Sequence, residues 1–292
     1  MSRFFQVAKY AWRQSKELAP KADKSRLWLF YDMLSCYRRY LMWTNQYVKE
    51  QFWARNNEDR ERIGADYFEK GRVRDAWQKD FRENRKFMIK FANIKYEKAS
   101  LRGKRNKAYT KRYNAGKNLF VEYGVNISRQ HYLDGTISIG DNVLLAKHVF
   151  IDSSGVVELK NNVKISDGVT IESHKHIFVP GAKEYEPIPT KIVIEDGVWI
   201  GQKAVICEDC KCIGRYAQIG AGAVVRNQIP PYALVVGNPA KIVGFLLTPE
   251  EVESFEQNRY QEAEKTNIEM YRKQYDKYFI NRISEIKKML NN

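Results

Sequence analysis

Two histidines stand one residue apart, His174 and His176, and the chain has only two others, His131 and His148. Imidazole is the side chain that changes charge nearest neutral pH, so such a pair can supply a general base. Joined by His148 it could instead ligate a catalytic zinc. That arrangement wants three histidines from neighbouring elements, two of them further apart than one intervening residue allows, so no metal is expected. Cys207, Cys210 and Cys212 fall within six residues, with Cys36 far away. Three thiols are one short of a closed structural zinc site and do not form a disulfide framework. They read as buried or surface residues in a reducing, cytoplasmic setting.

The elements that must hold these groups show in a period of six. Ile139, Leu145 and Ile151 are six apart, as are Leu159, Ile165 and Ile171 after a two-residue insertion. Ile194, Ile200 and Ile206 follow a longer interruption, and Ile213, Ile219 and Val225 follow one extra residue. Two places before each stands a small or β-branched residue in eleven of twelve cases, Lys211 being the exception. A helix cannot sustain a period of six, and hairpin strands need turns between them. A parallel β-helix satisfies it: each hexapeptide makes one face, three make a coil, and the aliphatic residues stack inside.

The flanks differ in texture. From Arg3 to about Asn114 apolar residues recur at helical spacing, through Leu27, Phe30, Tyr31, Leu34, Tyr37, Leu41 and Val48. From Asp75 to about Leu101 the pattern returns through Trp77, Phe81, Met88 and Phe91, and Gly64 and Gly71 mark the expected breaks. After the repeat, Thr248-Pro249-Glu250-Glu251 reads as a helix start, with a Thr cap, Pro in the first turn and Glu three places on. The expected organisation is a basic helical region over 1–118, a β-helix over 119–247 and a C-terminal helix over 248–292.

Residues 1–134 hold 31 Lys/Arg against 15 Asp/Glu, residues 135–247 hold 11 of each, and residues 248–292 hold 8 against 9. The net charge of +15 therefore belongs to the first region. That excess suits an anionic membrane surface or a lipid-linked acidic glycan, with the protein cytoplasmic or peripheral at the inner membrane face. A nucleic-acid partner is not expected, since no module interleaves Lys/Arg with aromatics on one face. The 38 aromatic residues exclude a disordered chain, and no apolar run approaches the roughly 18 residues of a membrane span. The N-terminus shows no secretion-signal pattern.

Four motifs carry a family resemblance: IGDNV (139–143), VTIESHKH (169–176), VWIGQKAVI (198–206) and IGAGAVVRNQIPPYALVVGNPAKIVGF (219–245). Over about 119–245 the chain resembles the hexapeptide-repeat acyltransferases of left-handed parallel β-helix fold, in their O-acetyltransferase branch. The resemblance implies a homotrimer with acetyl-CoA lying in a groove between neighbouring β-helices. It also implies a loop, here about Glu172 to Lys191, that projects from one protomer. His174 takes the place of the family's base, with His176 as its alternative or companion, and Ser173 stands where relatives often carry an Asp. For CoA the resemblance points to Trp199, Gly201, Gly220, Ala221, Gly222, Arg226 and Lys241, and for the acceptor to Asp152. The expected activity is acetyl-CoA-dependent O-acetylation of a sugar hydroxyl in bacterial surface-polysaccharide synthesis. N-acetylation of an amino sugar and a non-catalytic trimeric β-helix remain the alternatives.

Overall fold

The computed structural model of the protein describes residues 79–92, 99–130, 133–177 and 187–290, with scattered positions between 8 and 34. Cys36, Tyr37, Leu41, Val48, Gly64, Gly71, Trp77 and His131, all named above, lie outside the described residues. The chain divides into two compact units, Met1–Asp75 and Ala76–Asn292. In the first, Trp12 meets Phe30 edge-on at 5.1 Å, and the Arg26 guanidinium lies 3.9 Å from the Trp12 ring centre. No described helix is long and apolar enough to cross a membrane.

The second unit is built on a parallel β-helix of five coils. Its first face stacks Phe120–Val121, Leu144–Leu145, Lys164–Ile165, Trp199–Ile200 and Gln218–Ile219. The second stacks Asn126–Ser128, Phe150–Asp152, Thr170–Ile171, Val205–Ile206 and Val224–Val225, and the third Thr136–Ile139, Val156–Leu159, Lys191–Ile194 and Cys212–Ile213. The twelve phased aliphatic residues fall into three columns, one per face, with register partners such as Leu145, Ile165, Ile200 and Ile219. All are buried. Lys211, the exception to the small-residue rule, is exposed because Cys210 takes its inward place; the extra residue is absorbed by a left-handed Lys211, φ 57°.

Corners are made by side chains suited to them. Where the third face turns into the first, Asp141-Asn142, Asn161-Asn162 and Asp196-Gly197 recur. The first residue of each pair accepts an amide hydrogen from the coil before it, as Asp196 Oδ1 does from Asn161 N at 2.7 Å. The second adopts positive φ, which Asn and Gly tolerate best. Asn118, Asn142 and Asn162 also bond to one another in a ladder.

The irregularities of the repeat share one place. From first to second face and from third to first, successive inward aliphatics are always six residues apart. From second to third the spacing is twelve in the first coil (Ile127 to Ile139), then eight, twenty-three and seven. Every extra residue therefore falls between the second face and the third.

Both ends of the β-helix are covered. The helix Ala99–Tyr113 lies against the first coil, where Tyr109 and Tyr113 donate to the Val125 and Ile127 carbonyls and Asn106 accepts from Val121 N. At the far end Ala233–Val236 and Lys241–Phe245 close the first face as an antiparallel pair. Beyond them Thr248 and Glu251 form the reciprocal cap of helix Pro249–Gln257. The C-terminal helix expected over 248–292 is instead three short helices, Pro249–Gln257, Ile268–Tyr278 and Ile283–Leu290. The first break arises because buried Glu256 accepts from Thr266 N and Oγ1 and from Tyr232, drawing the chain back on itself. Within the N-terminal pattern read to Leu101, the helical turn widens to a π turn over Met88–Ala92, and a helix is described over Ala99–Tyr113.

Candidate active site

Asp152, Ser173 and His174 meet on the edge that carries the insertions. Asp152 ends a second-face strand of coil two, and Ser173 and His174 leave the corresponding strand of coil three. Asp152 is fully buried, with both carboxylate oxygens engaged. Oδ1 accepts from Ser154 N at 2.9 Å and Ser154 Oγ at 2.6 Å; Oδ2 accepts from Ser173 N at 3.0 Å and faces His174 Nδ1 at 2.6 Å. Ser173 Oγ donates to the Asp152 carbonyl at 2.7 Å and accepts from Gly155 N at 2.8 Å.

An ionised carboxylate only accepts, so His174 Nδ1 carries the hydrogen, and in the neutral ring Nε2 keeps the lone pair. His176 Nε2 lies 3.2 Å from that atom, its ring edge-on to the first at 87°. The strand His174–His176 pairs antiparallel with Pro187–Pro189, and Lys175 reaches Asp209 on coil four at 3.6 Å. The hairpin thus fixes the backbone that presents both rings.

The charges reinforce this geometry. Burial alone would raise the Asp152 pKa, but the hydrogen bonds from His174 and Ser154 outweigh it and hold it at about 2. The same bond from Asp152 holds His174 above the ordinary imidazole value, against the opposing effect of burial. Glu172 is raised by burial and by the neighbouring Asp152 charge. In its neutral form, with Nδ1–H anchored on Asp152, such an imidazole can take a proton at Nε2.

Asp152, which the resemblance assigned to the acceptor, therefore turns its carboxylate inward onto His174, filling the place left by Ser173. Ser154, which sequence reasoning did not single out, is buried and supplies two of the bonds that hold Asp152. Its signal was the two-residue insertion beside an Asp in an otherwise strict repeat. His148 does not join the histidine pair: it occupies a corner with φ 56°, its ring 4.8 Å from Tyr123. Among the described residues, the His, Cys, Asp and Glu atoms close enough to share a metal are those of Asp152, Glu172 and His174. Two of these three already bind each other. The cysteines do not converge, and burial pushes the Cys210 thiol up to about 12 and Cys212 to about 11.

The residues expected at CoA fall on two edges of one protomer. Gly201 and Gly220 are neighbours on successive coils, followed by Val236 and, across the closing pair, Lys241. A methyl on Gly201 would stand 2.6 Å from Ala221 N, so close coil stacking requires this glycine. Ala221 and Gly222 form the exposed corner beside them, and Trp199 on the same face is 51% exposed while donating to Ser166. Arg226 lies instead on the edge of the Asp–His pair, in line with Cys207 and Glu172. One protomer thus joins Arg226 to Asp152, His174 and His176 and leaves the glycine group and Lys241 apart.

No protein-family model matches the chain. It is 31% identical to serine acetyltransferase of Escherichia coli K12 over 128 residues, 43% of this chain and 42% of that protein. It is 45% identical to the dTDP-3-amino-3,6-dideoxy-alpha-D-galactopyranose 3-N-acetyltransferase of Aneurinibacillus thermoaerophilus over 56 residues, 19% of this chain and 29% of that protein. Among solved structures, a hexapeptide-repeat acetyltransferase from Vibrio cholerae covers 61% of this chain and 94% of its own, with TM-score 0.50 and 22% identity. The fold is the left-handed parallel β-helix of hexapeptide-repeat proteins. In its repeat, and over the matched residues, the chain is similar to hexapeptide-repeat acetyltransferases. It spans less than half the length of these two curated relatives.

Proposed function

We propose that the protein transfers the acetyl group of acetyl-CoA to a sugar hydroxyl, in the synthesis of a bacterial surface polysaccharide. The observation that carries the reading is the buried Asp152 bonded to His174 Nδ1, which leaves Nε2 as a base on the one edge where the repeat expands. The acceptor hydroxyl displaces His176 and gives its proton to His174 Nε2 as its oxygen attacks the thioester carbonyl. The tetrahedral intermediate then collapses, the C–S bond breaks, and the CoA thiolate takes the proton back from the imidazolium. No acyl-enzyme is required. N-acetylation of an amino sugar is the second reading, favoured by the sugar-nucleotide N-acetyltransferase among the relatives.

The test is purified protein with acetyl-CoA and a panel of sugars and amino sugars, read by free thiol. Thiol release with hydroxyl acceptors is expected; release with amino sugars alone would move the reaction to nitrogen, and none at all would remove the reading. Arg226→Ala and Lys241→Ala should raise the KM for acetyl-CoA more than they lower kcat, the mark of lost uniform binding.

A trimer would reunite the two edges by setting the glycine group of one copy against the histidine edge of the next. The outward row of the second face supports it. Phe150, Thr170, Val205 and Val224 align in register, uncharged and half-buried. The third face instead presents Glu158, paired with Lys160 and Lys191. Light scattering should return about three times the 34.3 kDa chain mass, and a single-chain mass would overturn the assembly.

A further inference from the structure

A concavity of about 420 Å³ lies where residues 79–92 and the end of helix Ala99–Tyr113 meet the first two coils. That volume is within the range of small-molecule sites. Asp80, Arg112, Tyr113, Ser128, Arg129 and Ser153 are among its walls. Asp80 sits between two guanidiniums, 3.4 Å from Arg112 Nη2 and 3.7 Å from Arg129 Nε, and Arg129 also reaches Asp134 at 3.9 Å. Arg112 is further held over the Phe87 ring, its Cζ 5.0 Å from the ring centre, and Tyr113 is tied through its hydroxyl to the Ile127 carbonyl. The polar groups are thus held in place before any ligand arrives.

Their chemistry selects a class of ligand. Asp80 lies between the two arginines, so an acidic group entering would meet its carboxylate as well as the guanidiniums. A polyhydroxylated neutral molecule meets no such conflict, since its hydroxyls can both accept from the guanidiniums and donate to Asp80, with the Ser128 and Ser153 hydroxyls beside them. Tyr113 and Ile137, both half-buried, offer apolar surface for C–H groups. These are the contacts a sugar ring uses.

The place matters equally. Ser128 is the register partner of Asp152, and Ser153 follows Asp152 directly. The pocket therefore occupies the edge of the Asp–His pair, one to two coils before His174, or about 5–10 Å at the spacing of stacked strands. We propose that it is a glycan subsite, which binds the sugar unit next to the one that reacts, so that the acceptor is an oligosaccharide rather than a free monosaccharide. This rests on the sugar-acetylation reading for its role, though binding at the pocket does not require turnover.

Binding is therefore measured directly, by saturation-transfer NMR and calorimetry on the full chain. The probes are lactose, maltose and cellobiose, each against galactose or glucose. At least one disaccharide should bind about tenfold more tightly than its monosaccharide, and Asp80→Asn and Arg112→Gln should each reduce that ratio to near one. Equal affinity for both lengths, no binding of any of these sugars, or a preference that survives both substitutions would overturn the subsite. A folded variant is verified by an unchanged thermal midpoint; if Arg112→Gln fails to fold, Asp80→Asn decides alone. Disaccharide binding that responds to the substitutions, with no thiol release from acetyl-CoA, would keep the subsite and remove only the reaction.

Discussion

Asp152→Asn is expected to lower kcat by about 10²–10⁴-fold while leaving acetyl-CoA affinity nearly unchanged. The substitution keeps the shape but cannot satisfy its surroundings. Oδ1 faces two donors from Ser154, and Oδ2 faces the Ser173 amide hydrogen and His174 Nδ1. With the amide nitrogen at the Oδ2 position it opposes Ser173 N–H and donates to His174 Nδ1, which moves the ring hydrogen to Nε2 and removes the base. Turned over, it opposes Ser154 N–H, a backbone donor that cannot reverse. The pH profile separates this from a simple loss of packing. With His174 as the proposed base the active ring is neutral, and the wild-type rate should rise with pH through a His174 pKa that Asp152 holds above its ordinary value. Without the carboxylate charge that pKa falls, and the residual rate of the variant should climb at lower pH. A profile unmoved by Asp152→Asn would take the base away from His174.

Gly155→Ala is expected to destabilise the protein by about 3 kcal/mol or more, visible as a large fall in the thermal midpoint. A methyl at this buried glycine would stand 2.1 Å from the Thr190 carbonyl oxygen and 2.2 Å from that of Ser173. Neither atom can rotate away. Both carbonyls are engaged, Thr190 O with Val156 N and Ser173 O with Thr190 N, so relief must come from parting coils two and three. That movement would also carry Ser173 and its neighbour His174 away from Asp152, so activity should fall with stability. Gly168→Ala is the control. Gly168 has φ +69° but nothing closer than 3.5 Å, and the backbone strain alone costs about 1–2 kcal/mol. Equal effects at the two positions would mean that the coils yield more easily than their packing implies.

The coils were legible because a stacked core repeats one chemical demand at one spacing. Ile139 through Val225 announce themselves by number alone. The first coil was harder to see: Val121 and Ile127 keep the six-residue step, but twelve residues separate Ile127 from Ile139 and hide the phase. The histidine pair could be located from the loop it opens. The direction of the Asp152 carboxylate could not, since it is decided by Ser173 and His174 from the next coil, about twenty residues away, and by the Ser154 that follows it in the insertion. Periodicity reports which residues face inward on a regular face, and the site lies where the faces stop being regular. The segmented C-terminus has a similar cause, because Glu256 is recruited by Thr266 and Tyr232 through contacts that no helical spacing encodes.

The helix on the first coil has a consequence beyond its own contacts. A β-helix is a short length of cross-β structure, with coils stacked at the strand spacing of fibrils and two ends open to further growth. The first strands here would offer bare carbonyls and amides to the last coil of another molecule. Tyr109, Tyr113 and Asn106 take up three of those groups, at Val125, Ile127 and Val121, with side chains that cannot themselves be extended into a further strand. The helix therefore acts as a chain terminator for a polymer the fold could otherwise start, and it lets a strongly stacking architecture exist as a particle of fixed length.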